Sequence, residues 1–285
     1  MSTASRLRHS VVGKWVRKFL HLAFKIRHRS GRPVRYRLTA QVDINLYPEG
    51  EVAEFLVLQQ FFERSQIALT AAYLKPGMKV IDVGANIGVY SILAQQCVGE
   101  TGFIWAFEPS TESFQRLLKN IDLNGCSRIQ PVPMALNDRS DTHVALRSDP
   151  GFGDAYRYVV PEKAATRSGG EIVSATTLDV YARRNGVARA DYIKVDVEGF
   201  ESKVFAGARE LLASSRDVVI MFESEADWCE RAGCRQEDAF EILRKFDFRL
   251  YVWDPRSRKW KSDDHSLFKS STVWAARDMR SLPVL

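Results

Sequence analysis

Short apolar runs alternate along this chain with segments of helical spacing. Four runs predict buried strands, because each is apolar and stops at glycine or at an acidic residue: residues 79–83, 103–108, 192–196 and 218–223. A helix is predicted after each of them, at residues 89–96, 111–124, 201–212 and 236–246. Strands and helices that alternate in this way predict an α/β protein with a doubly wound, Rossmann-like sheet.

Further elements are predicted around this centre. Residues 129–134 contain two prolines, which an edge strand tolerates and a central strand does not. Residues 137–175 are predicted to be a hairpin-like insertion or a lid, which is a candidate for substrate contacts. The remaining expectations are strands at 36–38, 42–47, 142–146, 171–175, 249–253 and 272–276, and a helix from residue 51 or 52 to residue 74.

The net charge of +6 belongs to the N-terminus. Residues 1–37 hold eleven Lys or Arg and no acid, which leaves the rest of the chain with a net charge of about −5. A mildly acidic remainder argues against a broad nucleic-acid surface, so no nucleic-acid partner is expected. We therefore divide the chain into a basic extension, residues 1–37, and a domain over residues 38–285.

The extension contains a predicted cationic amphipathic helix at residues 11–26. Its apolar face is expected either to pack onto the domain or a second subunit of a homodimer, or to contact an anionic membrane surface. Charges interrupt the apolar stretch, so it is not a signal peptide. The four cysteines lack a C-x-x-C pair, which predicts reduced thiols in a cytoplasmic protein, peripheral at the inner membrane face if the helix binds lipid.

The strand at 79–83 leads into a turn with the pattern Asp82-x-Gly84-x-Asn86-x-Gly88. Such a turn brings backbone N–H groups to the edge of the sheet where open α/β folds bind ligands. Asn86 stands where a dinucleotide-binding turn has its second glycine, and Asp82 adds negative charge, so a cationic ligand is favoured over a pyrophosphate. Glu108, 20 residues after Gly88, is placed to accept hydrogen bonds from a ribose.

Acidic residues also end the third and fourth strands. Asp196 ends one, with Glu198 and Gly199 in the turn that follows, and Glu223 ends the other. Since the carboxyl ends of parallel strands meet at one edge of a sheet, these acids are expected to share a cleft.

The stretches IDVGANIGVYS, FEP, TTLD and IKVDVEGFE together make residues 42–276 similar to the FkbM-type methyltransferases, which use S-adenosylmethionine (SAM). The resemblance implies a seven-stranded sheet with an antiparallel last strand. It also implies O-methylation of a hydroxyl on a sugar, glycolipid, polysaccharide or natural-product acceptor. Relatives often carry a histidine soon after the acid that ends the fifth strand of their sheet, the position of Glu223 in this chain. Here Glu223 is followed instead by Ser224-Glu225-Ala226-Asp227-Trp228.

The resemblance implies that SAM binds at the turn. Asp82 then either binds its amino group or holds the turn, and Glu108 binds its ribose. The other predicted contacts are Gly84, Ala85, Asn86 and Gly88 at the methionine end and the backbone of Ala135 at the adenine.

Methyl transfer to a hydroxyl needs aligned reactants and a general base. Asp196 is the best candidate base, with Glu198 or Glu223 positioning the acceptor. The alternative is that Asp196 and Glu198 only shape the Gly199 turn. Three carboxylates in one cleft could instead hold Mg²⁺, although we assign no metal ligand.

Two other functions remain open. The strand–helix–strand unit and Glu108 are compatible with a nicotinamide-dependent oxidoreductase, against which Asn86 counts. A non-catalytic, membrane-associated binding protein would keep the fold and the basic helix.

Overall fold

The computed structural model describes residues 32–47, 64–148, 157–160 and 170–285. The helix predicted at residues 11–26 lies outside the described residues. So does the first part of the helix predicted from residue 51 or 52.

The strands follow the predicted order, and three short strands that were not predicted, β6, β8 and β13, are added to it. They are β1 (Val34–Arg37), β2 (Asp43–Leu46), β3 (Lys79–Val83), β4 (Phe103–Phe107), β5 (Ile129–Val132), β6 (Ala135–Leu136), β7 (Thr142–Ser148), β8 (Arg157–Val160), β9 (Glu171–Thr176), β10 (Tyr192–Val195), β11 (Val219–Glu223), β12 (Arg249–Asp254), β13 (Lys259–Lys261) and β14 (Thr272–Ala276).

The helices are α1 (Arg64–Tyr73), α2 (Val89–Val98), α3 (Thr111–Leu123), α4 (Leu178–Asn185), α5 (Glu201–Ala206), α6 (Arg209–Ser214), α7 (Ala226–Arg231), α8 (Gln236–Arg244) and α9 (Asp264–Phe268). A 3₁₀ turn at Met279–Ser281 follows the last strand. Within the described ranges, none of these helices has the length and apolar character needed to cross a bilayer.

The main sheet has the strand order β13-β12-β14-β11-β10-β3-β4-β5. Parallel pairs join β5 to β4, β4 to β3, β3 to β10 and β10 to β11, and β14 runs antiparallel to both of its neighbours. The Rossmann-like fold with an antiparallel last strand is therefore confirmed. The sheet has eight strands, one more than the seven that the resemblance implied, because β13 forms a hairpin with β12 and extends one edge.

Helices cover both faces of this sheet. All four residues of β10 are buried, as expected for a parallel strand between two helical layers. One apolar cluster contains residues of α4, α5, α6 and α8, and the other contains residues of α1, α2 and α3. The strand β5 lies at the opposite edge from β13 and contains Pro131, as predicted for an edge strand, but it ends at Val132, before the second proline, Pro133.

The segment predicted as an insertion contributes most of a second sheet. Its order is β6-β9-β7-β8, and β7 pairs antiparallel with both β8 and β9. Near the N-terminal end of the described chain, β1 and β2 form a separate two-stranded sheet.

The prediction of one helix over residues 201–212 is wrong. Two short helices, α5 and α6, meet at Gly207, whose carbonyl accepts a hydrogen bond from the N–H of Asp179. A Cβ at Gly207 would lie 2.1 Å from the carbonyl oxygen of Asn137. The chain therefore bends at a residue without a side chain, where another backbone passes close by.

Candidate functional site

The turn after β3 is shaped by close backbone approach. Gly84 has φ +77°, and a Cβ there would lie 1.8 Å from the carbonyl oxygen of Asp196. Gly88 has φ +93°, and a Cβ there would lie 2.6 Å from Leu117. Asn86 has φ 49°, a left-handed conformation that asparagine tolerates better than most residues. Asn86 can therefore occupy the position at which a dinucleotide-binding turn has its second glycine, because it adopts the backbone conformation that the turn requires.

Backbone N–H groups of this turn are used inside the protein. Those of Gly84 and Ala85 donate to the carbonyl of Phe107 at 3.0 and 2.9 Å, and that of Gly88 donates to Ala85 at 2.8 Å. The N–H of Asn86 donates to Glu108 Oε2 at 2.8 Å. These four donors are not directed at a ligand, so this part of the turn is not a phosphate cradle.

Glu108 is buried behind the turn. Its second oxygen, Oε1, accepts a hydrogen bond from the N–H of Ser110 at 2.9 Å. Each carboxylate oxygen can accept more than one hydrogen bond, so Glu108 can hold the turn and still accept from a ligand hydroxyl. Ala135 is buried in β6, where it is in register with Ala175 of β9.

A buried lysine connects this turn to the next strand. Lys194, in β10, is 4% exposed. Its ammonium donates to the carbonyl of Gly84 at 3.0 Å and lies 3.2 Å from Asp196 Oδ2 and 3.5 Å from Asp82 Oδ1. Asp82 is itself 1% exposed, and its other oxygen accepts a hydrogen bond from Ser91 Oγ at 2.5 Å. Asp82 is therefore buried between Ser91 of α2 and the ammonium of Lys194.

The three predicted acids come together. Carboxylate oxygens of Asp196, Glu198 and Glu223 lie within 4.8 Å of one another. This follows from the register of β10 and β11, in which Val195 is opposite Phe222. Glu198 has φ 54° and is followed by Gly199 with φ 93°, so the chain turns back sharply after β10.

Burial and mutual repulsion change the acidity of this cluster. Burial, and then the charges of Glu198 and Asp196, raise the pKa of Glu223 well above its ordinary value. The Oε2 atom of Glu223 has no hydrogen-bond partner among the described residues. Burial also raises the pKa of Glu201 to about 7, against hydrogen bonds that its Oε1 accepts from the N–H groups of Val197 and Gly199. The raised pKa of Glu223 favours its protonated form, which can donate a hydrogen bond.

A small, open cleft lies beside the cluster, between α2 and the strands β10, β11 and β14. The residues that line it are Gln66, Tyr90, Lys194, Val195, Asp196, Met221, Phe222, Glu223, Ser271 and Thr272. Hydroxyl, carboxylate, ammonium and amide groups line it together with apolar side chains, and such a mixture suits a small ligand that carries hydroxyl groups.

A family model matches the segment that contains the turn after β3 and the acidic cluster. The model of the methyltransferase FkbM domain matches residues 82–251, which begin at the glycine turn and include the acidic cluster. The chain belongs to the FkbM family. This family membership confirms the resemblance predicted from the sequence.

Curated relatives share part of the chain. The hexuronic acid methyltransferase AglP of Haloferax volcanii is 28% identical over 147 residues, which are 51% of this chain and 56% of that protein. The methyltransferase sdnD of Sordaria araneosa is 27% identical over 161 residues, 46% of this chain and 60% of that protein. The chain thus spans less than two thirds of the length of either relative.

Solved structures show a distant likeness. Cofactor-bound Rv0187 from MTB is 11% identical, with 96% of each chain covered and a TM-score of 0.46. A SAM-dependent O-methyltransferase from Thermotoga maritima is 11% identical, with 86% of each chain covered and a TM-score of 0.42.

Lys194 was missed by the sequence-based prediction of the site. The available signal was a charged residue within the otherwise apolar run Tyr192-Ile193-Lys194-Val195. A lysine is almost never fully buried unless it is paired, so a strand of this kind predicts a nearby acid. The cleft residues Tyr90 and Thr272 carry no comparable signal, because long-range packing brings them to the site.

Glu201→Gln should change the pH dependence of stability. The unfolded carboxyl loses its proton near 4.5, whereas the folded one retains it until about pH 7, so wild-type stability falls between those values and is constant above them. Glutamine does not ionise. The free energy of unfolding of the variant minus that of the wild type should therefore rise by roughly 3 kcal/mol across this window.

Urea unfolding at a series of pH values measures this difference. Glu230→Gln, at an exposed position of α7, is the control for the loss of a carboxyl group that is not buried. Parallel stability curves for wild type and Glu201→Gln would contradict the assignment of a raised pKa to Glu201.

Proposed function

We propose that this protein is a SAM-dependent methyltransferase that methylates a hydroxyl group of a sugar or a related glycolipid, polysaccharide or natural-product acceptor. The observation that carries the proposal is the FkbM match over residues 82–251, which contains both the glycine turn and the acidic cluster. We take residues 38–285 as the catalytic domain and residues 1–37 as an extension to it.

The donors around the turn fit SAM better than a dinucleotide. A pyrophosphate requires free backbone N–H groups, and four N–H groups of this turn are already used by Phe107, Ala85 and Glu108. Carboxylates near the turn suit the ammonium and sulfonium charges of SAM. This argument counts against the nicotinamide-dependent oxidoreductase.

Each cofactor contact is assigned by position. Gly84, Ala85, Asn86 and Gly88 would surround the methionine end, and Glu108 would bind the ribose. The backbone of Ala135 would contact the adenine. For Asp82 we choose the second alternative, holding the turn, because its carboxylate is 1% exposed and is engaged by Ser91 and Lys194.

The acidic cluster would handle the acceptor. SAM supplies an electrophilic methyl group. Asp196, whose side chain is 34% exposed, is the candidate base that removes the proton of the hydroxyl. Burial keeps a proton on Glu223 more readily, so Glu223 is suited to donate a hydrogen bond to a neighbouring oxygen of the acceptor. Glu198 completes the cluster and would help to orient the acceptor.

The acceptor class is suggested by one relative. AglP is described as a hexuronic acid methyltransferase, and the cleft in this chain presents polar side chains to a ligand. Mg²⁺ bound by Asp196, Glu198 and Glu223 is the alternative role of the cluster, because carboxylate oxygens are the ligands it prefers. Activity that persists in EDTA would exclude it.

Calorimetric titration with SAM, S-adenosylhomocysteine and NADH tests the cofactor. We expect binding of the first two and not of NADH. Glu108→Ala should weaken binding by roughly 10- to 100-fold, because a carboxylate that accepts hydrogen bonds is lost. Glu100→Ala, at a side chain that is 75% exposed, is the control and should bind like wild type. Binding of NADH alone would reverse the choice of cofactor.

Asp196→Asn tests the base. With an acceptor found by screening glycan and lipid hydroxyls, we expect turnover to fall by roughly 10²- to 10⁴-fold while SAM still binds. Asp227→Asn, at an exposed position of α7, should leave turnover unchanged. Unchanged turnover in Asp196→Asn would remove Asp196 from the mechanism and favour its role in shaping the Gly199 turn.

Membrane contact through residues 11–26 is a separate proposal. Sedimentation with anionic vesicles should recover the full chain and not a chain that lacks residues 1–30, because the basic residues of the extension would be lost. Vesicles of neutral lipid are the control. Equal recovery of both chains would leave packing on the domain or on a second subunit as the use of this helix.

A further inference from the structure

Lys194 links the turn after β3 to the acidic cluster of Asp196, Glu198 and Glu223. Among the residues that line the cleft it is the one with a positive charge, and it lies between Asp196 of the cluster and the carbonyl of Gly84 in the turn. Asp82 lies on its third side, and the ring of Tyr90 is 5.2 Å from the ammonium. The lysine therefore contacts the cofactor turn and the acidic cluster at the same time.

Burial makes these contacts strong constraints. A buried ammonium is costly unless anions and hydrogen-bond acceptors surround it, and here two carboxylates and a carbonyl do so. In return, the ammonium fixes where those carboxylates lie. The aromatic ring adds a favourable contact on a remaining side.

We propose that Lys194 is a positioning residue that holds Asp82 and Asp196 against the cofactor turn and offsets their negative charge where a sulfonium binds. This inference rests on the proposed function. It concerns the charge that the protein presents to SAM, and it goes beyond the assignment of a base.

The positive charge of Lys194, set against the carboxylates of Asp82 and Asp196, would affect the methyl transfer itself. SAM carries a sulfonium charge that S-adenosylhomocysteine lacks, and methyl transfer removes it. Carboxylates without a counter-charge would stabilise the charged reactant more than the transition state, which raises the barrier. Lys194 limits that excess stabilisation and keeps Asp196 in position to receive a proton.

The ratio of SAM affinity to S-adenosylhomocysteine affinity reports this charge without any acceptor. Lys194→Met should raise the ratio by roughly ten-fold, because a positive charge beside a cationic ligand is removed. Lys194→Arg keeps the charge and should retain the wild-type ratio. Lys203→Met is the matched control, since Lys203 pairs with Asp138 and does not line the cleft.

We would measure both affinities by calorimetry at pH 8.5 and check folding by circular dichroism. If Lys194→Met does not fold, Lys194→Gln is the second variant, because it keeps a donor for Gly84 without the charge, and the same shift is expected. A variant that weakens both ligands equally, with an unchanged ratio, would overturn the inference and leave Lys194 a purely structural role.

Failure of the proposed function gives a different result. Wild-type protein would then bind neither SAM nor S-adenosylhomocysteine, and the inference would fall with it. Binding of both ligands by wild type, with an unchanged ratio in the charge-removing variants, would overturn the inference alone.

Discussion

The close approach of β3 to β10 is the constraint on which the site depends. The turn after β3 passes so near the end of β10 that only glycine fits at residue 84, where a Cβ would lie 1.8 Å from Asp196. Lys194 then joins the two strands by contacting Gly84, Asp82 and Asp196. Because of this contact, the turn after β3 and the acidic cluster are connected through a single buried side chain.

The electrostatics of the site follow from that packing. Neighbouring parallel strands end in acids, so Asp196 and Glu223 are brought together whether or not their charges repel. The repulsion is reduced in two ways. Lys194 lies against Asp196, and burial keeps a proton on Glu223 more readily. The protonated form of Glu223 can donate a hydrogen bond, whereas an ionised carboxylate can only accept one.

Much of the fold was predictable because its signals are local. Apolar runs that stop at glycine or acid marked β3, β4, β10 and β11, and the prolines marked β5 as an edge strand. The prediction failed where a distant backbone decides the conformation, as at Gly207, which packs against Asn137 and divides one predicted helix into two. The short strand β13 was also missed, because it depends on pairing with β12.

The sequence by itself determined which residue types stand at the strand ends, and hence that a turn with Gly84 and a set of acids would meet at one edge of a sheet. Only the tertiary structure decided how they are connected. The turn's N–H groups are used by Phe107 and Glu108, and Asp82 is enclosed by Lys194. These contacts join segments far apart in the chain, and no local propensity encodes a hydrogen bond between residues that only folding brings together.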